Sequence, residues 1–246
     1  MSCLGNVELQ VLDKNNEYTR MIENRARRIS KYINSEEIFD ILCIFLLKFR
    51  SKEYFEACFR EWLEKTQEYA EIFDIENIES FCEEISDTYN KSRNDEEIND
   101  FRGKLFEVIM KEKYAPIYCK RDSIMECGCK VIIDKTEIIY EDIYHNIDCT
   151  KKTVDIAGYN SKDAEFYEIK VGPKNFKYNI ILYLNKLFDF ASEKKITQNL
   201  IIGCATMEKR ASLIQSLETE KKKYDFLNYS NLMIRGREDI EKRFFS

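Results

Sequence analysis

The spacing of apolar residues changes once along this chain, and that change limits the fold more than any other feature. From Val7 to about Asn90 apolar residues recur at three- and four-residue steps, as in Phe55, Phe59, Trp62 and Leu63, with no proline and no glycine. Such spacing predicts amphipathic helices. Ser35-Glu36-Glu37-Ile38 reads as a helix start, with Ser35 as N-cap and acids in the first turn. The helix that follows, Ile38 to about Phe49, is apolar on nearly every side and is expected inside a helical bundle or at a dimer contact. The polar stretch from Tyr89 to Asp95 breaks the period and is the expected boundary of an N-terminal all-α module, residues 1–95.

Past that boundary, a helix from about Ile98 to Tyr114 is expected to end before Pro116. Short runs rich in β-branched residues follow at Lys130–Ile133, Ile138–Tyr140, Thr153–Tyr159 and Ala164–Val171. Asn160-Ser161-Lys162-Asp163 reads as a turn joining the last two into a hairpin. A helix from about Phe176 to Ser192, a buried strand from Asn199 to Ala205, a helix from Met207 to Lys223, a strand near Leu232 and a short final helix complete the pattern. Residues 96–246 thus predict an α/β domain, a mixed sheet flanked by helices.

Composition excludes several functions. A single histidine, His145, rules out chemistry that needs two imidazoles from one chain. The longest apolar run, Ile41 to Leu47, has seven residues, against roughly 20 for a membrane-spanning helix, so no membrane partner is expected. Nine cysteines, an odd number, with no secretory signal peptide predict reduced thiols in a cytoplasmic protein. The net charge of −6 is concentrated early: residues 1–95 hold 13 Lys and Arg against 20 Asp and Glu, whereas residues 96–246 hold 26 against 25. The acidic module therefore suits a protein partner or homo-oligomer contact better than a polyanion.

The residues that promise chemistry lie in the expected hairpin. Side chains alternate faces along a strand, so Glu168 and Lys170 point one way while Tyr167, Ile169 and Val171 point the other. On the preceding strand Asp155 faces away from Val154 and Ile156, and a tight turn brings it beside Glu168. Two carboxylates and an ammonium on one face form a seat for a hard cation such as Mg²⁺, which prefers oxygen ligands. The lysine is then placed to position or activate water.

At these positions the chain resembles the PD-(D/E)xK nuclease superfamily, which has the restriction-endonuclease-like fold. The matching residues are Val154-Asp155-Ile156, Glu168-Ile169-Lys170 and, on the upstream helix, Gly103-Lys104-Leu105-Phe106-Glu107. The resemblance covers roughly residues 98–205 and extends to the α-β-β-β-α-β element order. It implies a Mg²⁺- or Mn²⁺-dependent endonuclease that hydrolyses phosphodiester bonds, with nucleic acid, most simply DNA, as substrate, in restriction, anti-phage defence or repair. It further implies Glu107, Asp155, Glu168 and the Ile169 carbonyl as metal ligands and Lys170 as the catalytic lysine. The alternative is an inactive nuclease-fold module that binds nucleic acid or a protein; a third reading is a helical interaction protein with an incidental β domain.

Cys119, Cys127, Cys129 and Cys149 are enough thiols for a tetrahedral metal, but C-x-C spacing fits it poorly. Lys174, Lys177, Lys186, Lys194, Lys195 and the Lys221-Lys222-Lys223 tract read equally as phosphate contacts or as solvated lysines, with Phe176 and Tyr178 as candidate stacking groups.

Overall fold

In the computed structural model, which describes residues 2–12, 17–73, 75–118, 122–141 and 150–245, the chain divides into two units. Lys14–Ile109 with Asp239–Ser246 form one, and Met1–Asp13 with Met110–Glu238 form the other.

The first unit is helical, built from α1 (Glu17–Ser30), α2 (Glu36–Lys48), α3 (Lys52–Ile72), α4 (Ile78–Lys91) and the earlier part of α5 (Asp95–Tyr118). Serine hydroxyls set where α2 and α3 begin. Ser35 accepts from the Ile38 amide at 3.4 Å and Ser51 from the Tyr54 amide at 3.3 Å, each satisfying one otherwise orphaned donor. The apolar circumference of α2 is accounted for by burial of Ile38, Phe39, Ile41, Leu42, Cys43, Phe45 and Leu46, with Ile44 left half exposed. Phe45 lies 4.7 Å from Phe49, 4.8 Å from Trp62 and 5.0 Å from Tyr89, ring centre to ring centre. Each fully buried ring contributes about 2–3 kcal/mol. Polar groups close the end of α2: Arg102 donates to the Leu46 carbonyl at 2.8 and 2.6 Å, and the Tyr89 hydroxyl donates to the Phe49 carbonyl at 2.9 Å.

The second unit contains β1 (Ser2–Leu4), β2 (Val7–Val11), β3 (Ser123–Ile133), β4 (Thr136–Glu137), β5 (Val154–Asn160), β6 (Asp163–Lys170), α6 (Tyr178–Glu193), β7 (Asn199–Thr206), α7 (Arg210–Lys223), β8 (Met233–Arg235) and the first residues of α8 (Arg237–Phe245). The strands form a mixed sheet in the order β1-β2-β3-β5-β6-β7-β8, with β4 pairing on β3. Pairing is antiparallel as far as β6 and parallel from β6 through β7 to β8. Helices α6 and α7 are the crossovers that parallel neighbours require. Ile180, Ile181, Leu184 and Leu187 of α6 and Leu213 and Leu217 of α7 join Val7, Leu9, Val131, Ile133 and Phe166 in one core. Gly203 permits the close approach of β7 and β8, because a Cβ there would lie 2.0 Å from the Met233 carbonyl oxygen.

The structure differs from the sequence expectations at several places. Ile138–Tyr140, expected to be a strand, is not one: the short strand is Thr136–Glu137, and Tyr140 makes only an isolated bridge to Lys151. Residues 7–11, expected to be helical, are strand β2, whose Val7 and Leu9 are buried against β3. Helix α5 continues past Pro116 to Tyr118, so the chain forgoes one amide donor there and keeps its helical path. Strand β3 begins at Ser123, seven residues earlier than its apolar run, because its first residues pair with β5, Ser123 facing Asn160 and Cys127 facing Ile156. No helix among the described residues is long and apolar enough to cross a membrane.

Candidate acid and lysine site on the β5–β6 hairpin

The hairpin is tight because Asn160 closes it. Its side-chain oxygen accepts from the amides of Lys162 and Asp163, both at 2.8 Å, the hydrogen-bonding habit that favours asparagine in turns. The turn fixes the register: Tyr159 faces Ala164, Ala157 faces Phe166 and Ile156 faces Tyr167. One more step along this register sets Asp155 opposite Glu168. The Asp155 carboxylate then takes the next backbone donor itself, accepting from the Ile169 amide at 2.9 Å.

Charges converge at that end of the hairpin. The Lys170 ammonium donates to Asp155 Oδ2 at 2.8 Å and to Glu168 Oε1 at 2.6 Å. Lys151 donates to the same Glu168 Oε1 at 2.9 Å. The Glu168 side chain is 1% exposed, and Cys204 of β7, in register with it, is fully buried. Its second oxygen, Oε2, is buried without a hydrogen-bond partner among the described residues. The hydroxyl of Tyr183 on α6 is in the same condition. A buried oxygen without a donor costs about 1–3 kcal/mol or more when it belongs to a charged group, so Glu168 Oε2 is a place where a cation or a proton would be stabilised.

The electrostatics follow from burial and neighbours. Burial, reinforced by the Asp155 charge, pushes the Glu168 carboxyl up to about 7, although Lys170 and Lys151 pull it back. Burial opposes ionisation of Asp155 as well, yet Lys170, Lys151 and the Ile169 amide together hold its pKa below the ordinary aspartate range. Burial alone would make Lys170 a weaker base, but Glu168 and Asp155 overcome it and hold the ammonium charged. The pair therefore splits into one firmly ionised acid and one that exchanges its proton near neutrality, the pattern that suits proton transfer.

Asp155, Glu168, Lys170 and the backbone of Ile169 are thus brought together by two adjacent strands. Glu107 belongs to the helical unit, on α5, where it forms an ion pair with Lys104. Among the described residues no group of three or more His, Cys, Asp or Glu side chains stands ready to hold a metal. Two carboxylates with one orphaned oxygen nevertheless fit a hard divalent cation, since Mg²⁺ commonly uses one or two protein carboxylates and fills its remaining positions with water and substrate oxygens.

Lys151 was not singled out from the sequence. The signal was parity: Lys151, Thr153 and Asp155 are spaced by two. Its backbone is pinned by reciprocal hydrogen bonds with Tyr140, at 2.8 and 2.9 Å.

Other candidates resolve differently. Phe176 is fully buried and so cannot stack on a base, and Tyr178 packs 4.7 Å from Tyr224. Lys186 donates to the Ile139 carbonyl, Lys221 lies over the Tyr229 ring and Lys223 pairs with Glu220. Cys129 is buried, which pushes its thiol pKa well up and away from thiolate chemistry. His145, Cys119 and Cys149 lie outside the described residues. No protein-family model matches the chain, and no curated protein or solved structure matches it significantly.

Proposed function

We propose that the chain is a metal-dependent phosphodiesterase of the PD-(D/E)xK kind, most simply a Mg²⁺- or Mn²⁺-dependent DNA endonuclease. The supporting observation is the meeting of Asp155, Glu168 and Lys170 at one end of the β5–β6 hairpin with a buried Glu168 oxygen left unsatisfied. In this reading Asp155, Glu168 and the Ile169 carbonyl hold the cation. The cation supplies Lewis-acid stabilisation of charge developing on a phosphoryl group. Asp155, kept ionised by Lys170, is the constant negative anchor. Glu168, titrating near neutrality, takes up or releases a proton as its surroundings change. Lys170, held charged between the two acids, donates to oxygen atoms in the reacting centre. The acidic helical unit serves a protein partner or a second copy, and a cytoplasmic role in restriction, defence against phage or repair agrees with this chemistry.

Incubation of the purified chain with plasmid DNA, single-stranded DNA and RNA, in Mg²⁺ or Mn²⁺, tests the reading. Cleavage by the wild type, reduced about 10²-fold or more in Lys170→Ala, is expected; equal behaviour of the two proteins on every substrate overturns it. A second reading, a non-hydrolytic nucleic-acid-binding module on the same fold, draws support from Lys151, since two ammonium groups already neutralise the two carboxylates. It predicts binding that survives chelator and tolerates Asp155→Asn.

A further inference from the structure

The charge balance at Glu168 has one participant that the nuclease reading does not use. Lys151 Nζ lies 2.9 Å from Glu168 Oε1, its side chain is 17% exposed, and its main chain is fixed to Tyr140 by two hydrogen bonds. A lysine held this way is not a solvated surface group. Lys170 already contacts the same oxygen at 2.6 Å and Asp155 at 2.8 Å. The result is two ammoniums on one carboxylate oxygen, while the other oxygen, equally buried, has none. With both lysines in place and Glu168 ionised, the four side chains sum to no net charge, which is unfavourable for a hard dication, whose sites draw affinity from excess negative charge. Resting on the metal-dependent reading above, we propose that Lys151 is a built-in competitor for the divalent cation: it occupies Glu168 when the cation is absent, opposes its binding, and thereby sets the site's metal affinity.

Repulsion between an ammonium and a dication a few ångströms apart in a partly buried site is large enough to be measured as an affinity change. Removing the charge of Lys151 leaves Asp155, Glu168 and Lys170 with a net negative charge, so the cation binds more tightly. A merely structural lysine predicts the reverse, because its loss would loosen Glu168 and weaken the site.

Calorimetric titration of the full chain with Mn²⁺ alone, without nucleic acid, distinguishes the two. Lys151→Met is expected to bind Mn²⁺ about tenfold or more tightly than the wild type, with Lys151→Gln as the replacement if the methionine variant does not fold. Lys151→Arg, which keeps both the charge and the reach, is expected to bind as weakly as the wild type. Unchanged or weaker binding by the neutral variants overturns the proposal, as does tenfold tightening in Lys151→Arg. The metal reading itself is scored separately by Glu168→Gln. If wild type binds Mn²⁺, Glu168→Gln does not, and the Lys151 variants match wild type, the metal site stands and the competitor role is wrong. If no variant binds Mn²⁺ at all, the metal reading fails and the competitor role is overturned with it.

Discussion

Replacing Glu168 by glutamine should alter how the stability of the sheet unit depends on pH, and the sign and size of that change follow from the site. The ordinary glutamate value is 4.5, and burial together with Asp155 raises Glu168 to about 7. Between those values the folded protein holds a proton that the unfolded chain has released. The contribution is therefore fully present below about pH 4.5 and is lost as pH rises through 7. At about 1.4 kcal/mol per tenfold change in proton activity, the whole window amounts to about 3 kcal/mol, most of it between about pH 5 and 8. Asp155, held below its usual 3.8, acts with opposite sign and only at lower pH, so it does not interfere. The single tryptophan, Trp62, lies in the helical unit and reports on the wrong region. Amide hydrogen exchange of β5 and β6, in chelator and corrected for intrinsic exchange rates, is the suitable measure. Wild type should lose about 2–3 kcal/mol of protection relative to Glu168→Gln between about pH 5 and 8. Parallel curves for the two proteins would refute the claim that Glu168 is protonated near neutrality because it is buried beside another acid.

The helical unit offers two further checks, both readable through Trp62 fluorescence in urea. Phe45→Ala removes a fully buried ring that touches Phe49, Trp62 and Tyr89, and should cost about 3–5 kcal/mol. Ser51→Ala deletes the hydroxyl that accepts from the Tyr54 amide at the start of α3, and should cost about 1 kcal/mol.

The site was legible in the sequence to the extent that it depends on local rules. Alternation along Glu168-Ile169-Lys170 and an asparagine turn of two residues suffice to bring Asp155 beside Glu168. The all-round apolar character of α2 likewise announces its burial. What escaped depends on contacts distant in sequence. Strand β2 is only five residues long, and its identity as a strand comes from β3, more than a hundred positions away. Lys151 stands outside β5, and its position is fixed by backbone hydrogen bonds to Tyr140, eleven positions earlier. Phe176, a candidate stacking group among the lysines around it, is enclosed in the core shared with α6. Which oxygen of Glu168 lacks a partner is a three-dimensional property that no spacing encodes.

Anomalous diffraction from crystals grown with Mn²⁺ tests the central claim most directly. A peak within coordination distance of Glu168 Oε2 and the Asp155 carboxylate is the predicted result. Crystals soaked in saturating Mn²⁺ that leave Glu168 on Lys151 and Lys170 and Asp155 on Lys170 and the Ile169 amide, with no anomalous density beside them, would contradict it.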